Sequence, residues 1–256
     1  MGRRSGRRPH LLVQNEVPCQ DVSMHSLPTP MTILGVIPAR GGSKGLRRKN
    51  IVPLAGRSLV RRAIESARES KMLTAFVVST EDLGIGMEAR EQDTIIVDRP
   101  PELATDEAGM LPVLQHAVRA VGGPRPDLIV CLQPTSPFRT GALIDRVIQK
   151  VIDTGADSAQ TLTESPESPL FMSQVIDGDR IKPFSAHDHI VRRQDAPPAY
   201  IPTGAVYVTR YDVLMRQGLI RGADNRAVVC GFEESANIDT IWDFRLAEII
   251  AEERGW

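Results

Sequence analysis

Residues Met31 to Asn50, Met-Thr-Ile-Leu-Gly-Val-Ile-Pro-Ala-Arg-Gly-Gly-Ser-Lys-Gly-Leu-Arg-Arg-Lys-Asn, join an apolar run to a loop crowded with glycine and positive charge. Ile33 to Ile37 reads as a strand buried on both faces, as in a parallel sheet. Pro38 ends it. The loop beyond carries Gly41, Gly42 and Gly45, which free the backbone to turn its N–H groups toward an anion. Arg40, Lys44 and Lys49 bring cationic side chains to the same place. A loop of this kind at the carboxyl end of a parallel strand lies where open α/β sheets bind ligands, and a polyphosphate suits it. The order Ser43-Lys44-Gly45 is not that of the common ATP-binding P-loop, nor does the loop carry G-x-G-x-x-G.

Working outward, strand and helix signals alternate. Ser58 caps a helix whose Leu59, Val60, Ala63, Ile64 and Ala67 face inward, with Arg61, Arg62 and Glu65 outside. Strands follow at Ala75 to Ser79, Thr94 to Val97 and Leu128 to Leu132, and helices at Ala108 to Val121 and Ala142 to Asp153. Asp82 and Asp106 are placed as helix caps. This rhythm predicts an α/β, Rossmann-like fold, a mostly parallel sheet flanked by helices. From Ala156 the texture changes. Phe171 to Ile176 and Arg180 to Phe184 read as a hairpin around Asp177-Gly178-Asp179. Strands at Ala205 to Thr209 and Arg226 to Phe232 precede a closing helix, Ile241 to Glu252, that buries Ile241, Phe244, Ala247, Glu248 and Ile249.

A chain of 256 residues can bury a substantial core. The net charge of −1 argues against a nucleic-acid binder. Cys19, Cys131 and Cys230 form no C-x-x-C, and the last two sit in apolar runs as core residues. No apolar run reaches the roughly 18 residues of a membrane span, and a reducing cytoplasm is the expected compartment. Residues 1–30 read as a disordered extension, and 31–256 as the functional domain.

The segment Ile37-Pro-Ala-Arg-Gly-Gly-Ser-Lys-Gly45, closed by Lys49-Asn50, resembles the opening of the acylneuraminate (sialic acid) cytidylyltransferases, which make CMP-sugars from CTP. The resemblance runs from about Thr32 to Glu252. It recurs at Arg99-Pro-Pro-Glu-Leu-Ala-Thr-Asp106, Leu132-Gln-Pro-Thr-Ser-Pro-Phe-Arg139, Gly204-Ala-Val-Tyr207 and Asn237-Ile-Asp-Thr240. It implies a nucleotide-diphospho-sugar transferase type of fold, with residues 155–203 holding the arm of a homodimer and His187 to Arg193 at its tip. By the same resemblance CTP is held by Ala39, Gly41, Gly42, Ser43, Lys44, Asn50 and Arg99, with Arg40 and Lys49 as catalytic cations. Gln133, Arg193 and Tyr207 are then the acceptor contacts, and Asp239 the ligand of a magnesium ion.

The chain also departs from those relatives. Glu81 stands where they show aspartate, Gly109 and Met110 where they show serines, and Asn237 where a second aspartate is common. Phe171 and Ile201 replace cations that meet the sialic acid carboxylate. The expected reaction is CMP transfer from CTP to an acidic acceptor, a nonulosonic sugar acid other than ordinary sialic acid. Three readings stand beside it: CMP activation of a phosphonate, a related enzyme using another triphosphate, and a nucleotide-binding homologue without catalysis.

Overall fold

Period-two alternation along β1 (Ile33–Pro38) sends Ile33 and Ile37 into one apolar cluster and Leu34 and Val36 into another. All six of its residues are buried, as a strand covered on both faces requires. The computed structural model describes Met1 and residues 31–43, 45–184 and 192–256, without the side chains of Ile176 and Arg193. The extension read at 2–30, Lys44, and most of the expected arm tip lie outside the described residues. Met31–Trp256 forms one compact unit.

A short ribbon, β2 (Pro53–Leu54) and β3 (Arg57–Ser58), leads into α1 (Leu59–Glu69), where the Ser58 hydroxyl accepts from the Arg61 N–H. The next units are β4 (Ala75–Thr80), α2 (Leu83–Glu91), β5 (Ile95–Asp98), α3 (Met110–Val121), β6 (Leu128–Cys131) and α4 (Gly141–Thr154). They are followed by β7 (Ser158–Glu164), a separate hairpin of β8 (Ser173–Ile176) and β9 (Arg180–Pro183), and β10 (Tyr200–Arg210). Then come α5 (Tyr211–Met215), β11 (Asn225–Val229) and α6 (Ile241–Glu253). Seven strands make one sheet in the order β11-β7-β10-β6-β1-β4-β5. Only β10 runs against the rest. Helices α1, α2 and α4 pack on one face and α3 and α5 on the other, the layered arrangement read from the sequence.

The chain leaves β1 for β4 and β5 on one side and returns to β6 on the other. Such a reversal opens a crevice beyond the carboxyl ends of β1 and β6. Among the described residues, no helix is long and apolar enough to cross a membrane.

Three local expectations need correction. Arg62 is buried, not outside: its guanidinium donates to the Leu54 carbonyl at 2.6 Å and lies 4.1 Å from the Trp256 ring centroid. Helix α6 buries Phe244, Ala247, Ile250 and Ala251 and leaves Ile241 and Ile249 exposed. Asp106 does not cap α3, which starts at Met110 behind Gly109 with no side-chain cap.

Candidate active site

The crevice is a cleft of about 260 Å³ whose lining includes Arg40, Gly42, Ser43, Lys49, Asn50, Arg99 and Gln133. Its floor is tied together by backbone bonds at the strand ends. Ala39, fully buried, donates its N–H to the Ser79 carbonyl at 3.0 Å. Arg99, also buried, donates to the Ser79 carbonyl at 2.6 Å and hydroxyl at 3.2 Å. Burial lowers its pKa, the nearby Glu81 carboxylate opposing that shift.

Two cations of the first loop, Arg40 and Lys49, are already held by the protein's own oxygens. Arg40 pairs with Asp106 at 2.8 Å and donates to the Thr105 carbonyl at 2.7 Å. Lys49 reaches the Asp239 carboxylate at 2.9 Å and the Ile238 carbonyl at 2.8 Å. The Gly41 N–H, aimed as an anion donor, is taken by Glu81 Oε1 at 2.7 Å, while Glu81 Oε2 is buried without a partner. Asn50 donates its amide to the Arg40 carbonyl at 2.8 Å, which ties the two ends of the loop.

The turn that presents Lys49 and Asn50 is a 3-10 segment, Lys49–Ile51, entered through Arg48 at φ 55. Gly41 and Gly42 are not among the residues with positive φ, so left-handed freedom is not what they supply. Gly45 serves close approach, since a Cβ there would run into the Asp239 carbonyl oxygen. That contact brings the first loop against the Asn237-Ile-Asp239 turn.

The cleft thus gathers Arg40, Gly42, Ser43, Lys49, Asn50, Arg99 and Gln133, while Ala39 and Gly41 sit behind it. Tyr207 does not line it; half-buried, it packs with the cluster containing Leu34, Val36 and Leu114. Burial raises its phenol pKa. Opposite Gln133 lies Gly204, at φ +79, where β10 shifts register; a Cβ there would stand 3.2 Å from Gln133 Oε1. Met110, which stands where the relatives show serines, also lines the cleft; Thr105 and Asp106 were not foreseen there. The Asp106 match in the resemblance was the one signal available for them.

Among the described residues, no three His, Cys, Asp or Glu side chains gather as a metal set. Asp239, 64% exposed, is flanked by Asn237, whose amide NH₂ donates to it and whose Oδ1 is buried without a partner. One carboxylate and one orphaned amide oxygen suit magnesium, which completes its shell with phosphate oxygens and water. Asp243 is committed elsewhere, in a capping box with Thr240 at the start of α6.

The sequence profile of the cytidylyltransferases matches residues 34–216. The chain belongs to the cytidylyltransferase family. This cytidylyltransferase is 28% identical over 222 residues to the N-acylneuraminate cytidylyltransferase of Escherichia coli O18:K1:H7, a match over 87% of this chain and 52% of that protein. It therefore spans about half the length of that relative. With the pseudaminic acid cytidylyltransferase of Campylobacter jejuni serotype O:2 it shares 26% over 226 residues, covering 86% of this chain and 96% of that one. Among solved structures, CMP:2-keto-3-deoxy-manno-octonic acid synthetase complexed with CTP superposes with a TM-score of 0.66 at 15% identity, over 87% of this chain and 99% of that one. A 4-diphosphocytidyl-2C-methyl-D-erythritol synthase from Anaerococcus prevotii gives 0.61 at 14%, over 87% and 97%. The resemblance carried by the spaced motifs and the α/β fold expected from the strand–helix rhythm both hold.

Proposed function

We propose that this cytidylyltransferase transfers CMP from CTP to a small acidic acceptor, a nonulosonic (sialic-like) sugar acid, and releases pyrophosphate. The observation that carries the reading is the meeting of Arg40, Lys49 and Arg99 in one cleft beyond the carboxyl ends of β1, β4 and β6. An acceptor oxygen attacks the α-phosphorus and loses its proton to solvent. The bond from that phosphorus to the bridging oxygen breaks, and pyrophosphate departs with the electron pair. No covalent protein nucleophile is needed; positioning and fixed positive charge do the work. Arg40, Lys49 and the backbone at Gly42 and Ser43 hold the departing phosphates, Asn50 and Arg99 the nucleotide, and Gln133 faces the acceptor. Asp239, with Asn237 Oδ1, would hold magnesium, which when bound neutralises phosphate charge.

The named relatives support a nonulosonic acceptor. Phe171 and Ile201, both partly exposed, stand where sialic acid enzymes resemble one another in carrying cations. This supports an acceptor whose carboxylate is met by fewer charges, with Arg193 retained. The β8–β9 hairpin exposes Val175 and Ile181, each 71% accessible. A lone two-stranded hairpin is marginal in water, so a second copy of the chain covering it in a homodimer is part of the proposal. A CTP-consuming step fits the cytoplasm, where the buried free thiols of Cys131 and Cys230 stay reduced.

The test is a pyrophosphate-release screen with magnesium. CTP is compared with the other triphosphates against sialic, legionaminic, pseudaminic and octulosonic acids and small phosphonates. Release with CTP and one of the sugar acids is expected. Silence with every acceptor, or preference for another triphosphate, would overturn the reading; release with phosphonates alone would reassign the acceptor.

A further inference from the structure

On the face of the sheet carrying α1 and α4 lies a second cavity, about 470 Å³, which shares no lining residue with the nucleotide cleft. Two arginines form its inner wall, Arg62 at 7% and Arg139 at 4% exposure. Neither has a carboxylate as hydrogen-bond partner among the described residues. Arg62 donates to the Leu54 carbonyl, and Arg139 to the carbonyls of Gln133 and Ala205 and to the Ser66 hydroxyl. Each keeps one buried nitrogen with no partner, Nε of Arg62 and one terminal nitrogen of Arg139. Desolvation pulls both guanidinium pKa values down to about 10.

Two acidic residues, Glu65 and Glu69, also line the cavity, each with a partner of its own. Glu65 binds Arg57 and Arg61, each at 3.1 Å, and Glu69 accepts from the Gly141 N–H at 3.4 Å. Arg254, at the rim, is held by Glu233. Thr140, the N-cap of the long helix α4, also lines the cavity, so the helix dipole adds to the positive field. A buried charge without a counter-charge costs several kcal/mol unless something compensates it. Here two buried guanidinium groups line one cavity, Arg62 against the Trp256 ring with the Glu65 charge nearby, and Arg139 with carbonyl and hydroxyl oxygens alone as its hydrogen-bond partners.

We propose that this cavity binds a compact dianion, a phosphate or a small dicarboxylate, between Arg62 and Arg139. The cavity has a lining separate from that of the nucleotide cleft, to which Arg139 is joined through the Gln133 carbonyl. It is tested on full-length protein carrying Lys49→Ala, which removes one of the cations of the cleft, titrated with inorganic phosphate in one arm and malonate in the other at fixed ionic strength; the dependence on Arg62 below assigns the binding to this cavity. Saturable calorimetric binding and a rise in Tm are expected in at least one arm, and the arms identify the chemistry. Adding Arg62→Met should weaken that binding by roughly tenfold to a hundredfold, the loss of a charge-assisted hydrogen bond. Should that double variant not fold, crystals of the Lys49→Ala protein soaked in tungstate decide the matter by anomalous density between the two guanidinium groups. No saturable binding in either arm, unchanged affinity in folded Arg62→Met protein, or no tungstate in the cavity would overturn the proposal.

Discussion

Replacing Lys49 by alanine should separate catalysis from stability, because the two losses differ in size. In the free protein Lys49, 13% exposed, makes one ion pair to a carboxylate that is 64% exposed and one hydrogen bond to the Ile238 carbonyl. An ion pair that open to water is worth about 0–1 kcal/mol, and the carbonyl bond about 1 kcal/mol. The variant should therefore lose about 1–2 kcal/mol of stability, which for a domain of this size lowers Tm by roughly 2–8 °C. In the proposed reaction the same ammonium faces charge developing on the departing pyrophosphate. Removing a preorganised donor of that kind costs roughly 10²–10³ in kcat, or about 2.7–4 kcal/mol. Steady-state pyrophosphate release at saturating CTP measures the first quantity and thermal melting the second. A kcat within about threefold of the parent would refute the assignment of Lys49 to the leaving group. A collapse of Tm far beyond the stated range would show instead that Lys49 chiefly holds the first loop to the Asn237–Asp239 turn.

Gly45→Ala drives a methyl group into the Asp239 carbonyl. It should cost about 1–3 kcal/mol and lower CTP turnover by displacing Asp239, with both read on the same samples. Glu81→Gln keeps an acceptor for the Gly41 N–H but removes a negative charge beside Arg99; calorimetry should show tighter CTP binding by several-fold, and weaker binding would contradict the picture of Glu81 as a competitor. Burial raises the Asp243 pKa, but the N–H groups of Thr240 and Asp239, the Thr240 hydroxyl and the Lys49 charge together leave it lowered. A lowered carboxylate contributes stability above its unfolded pKa of about 3.9 and loses it as pH falls through the folded value. Asp243→Asn should thus lower Tm at neutral pH, and the Tm gap between parent and variant should close in acid below about pH 4.

What could be read from sequence was whatever a contiguous stretch encodes. β1 announces itself because five successive apolar residues admit only a strand covered on both faces, and its loop because charge and glycine follow at once. Arg62 could not be read, since its burial depends on Trp256, a residue far along the chain that returns to cover it. Helix α6 misled for another reason: Ile241, Trp242, Phe244, Leu246, Ile249 and Ile250 are spread around the helix, and no single apolar face follows from their spacing. The site showed the same division. Arg40, Lys49 and Asn50 were legible in one segment; the partners Asp106, Glu81 and Asp239, which come from three other loops, were legible as motif members but not as counter-charges.

Those partners change what nucleotide binding must be. The cradle is not an open array of donors waiting for phosphate: Arg40 is on Asp106, Lys49 on Asp239, and the Gly41 N–H on Glu81. Under the proposed assignment, binding CTP is an exchange in which phosphate oxygens replace side-chain carboxylates. Exchange is feasible because the displaced pairs are weak; Arg40 and Asp106 are each 33% exposed, and Asp239 more so. Partly exposed pairs return about 1 kcal/mol or less when broken, whereas a triphosphate brings several charges to the same donors at once. The released carboxylates do not all play the same part afterward. Under the same proposal Asp239, freed from Lys49 beside the unpartnered Asn237 oxygen, would be available to a cation arriving with the nucleotide, while Glu81 would be left with its charge next to Arg99. In the proposed reaction one event would load the cations with phosphate and uncover the oxygen pair suited to magnesium, and the Lys49–Asp239 pair would then tie the Asn237–Asp239 turn to the first loop energetically as Gly45 does sterically.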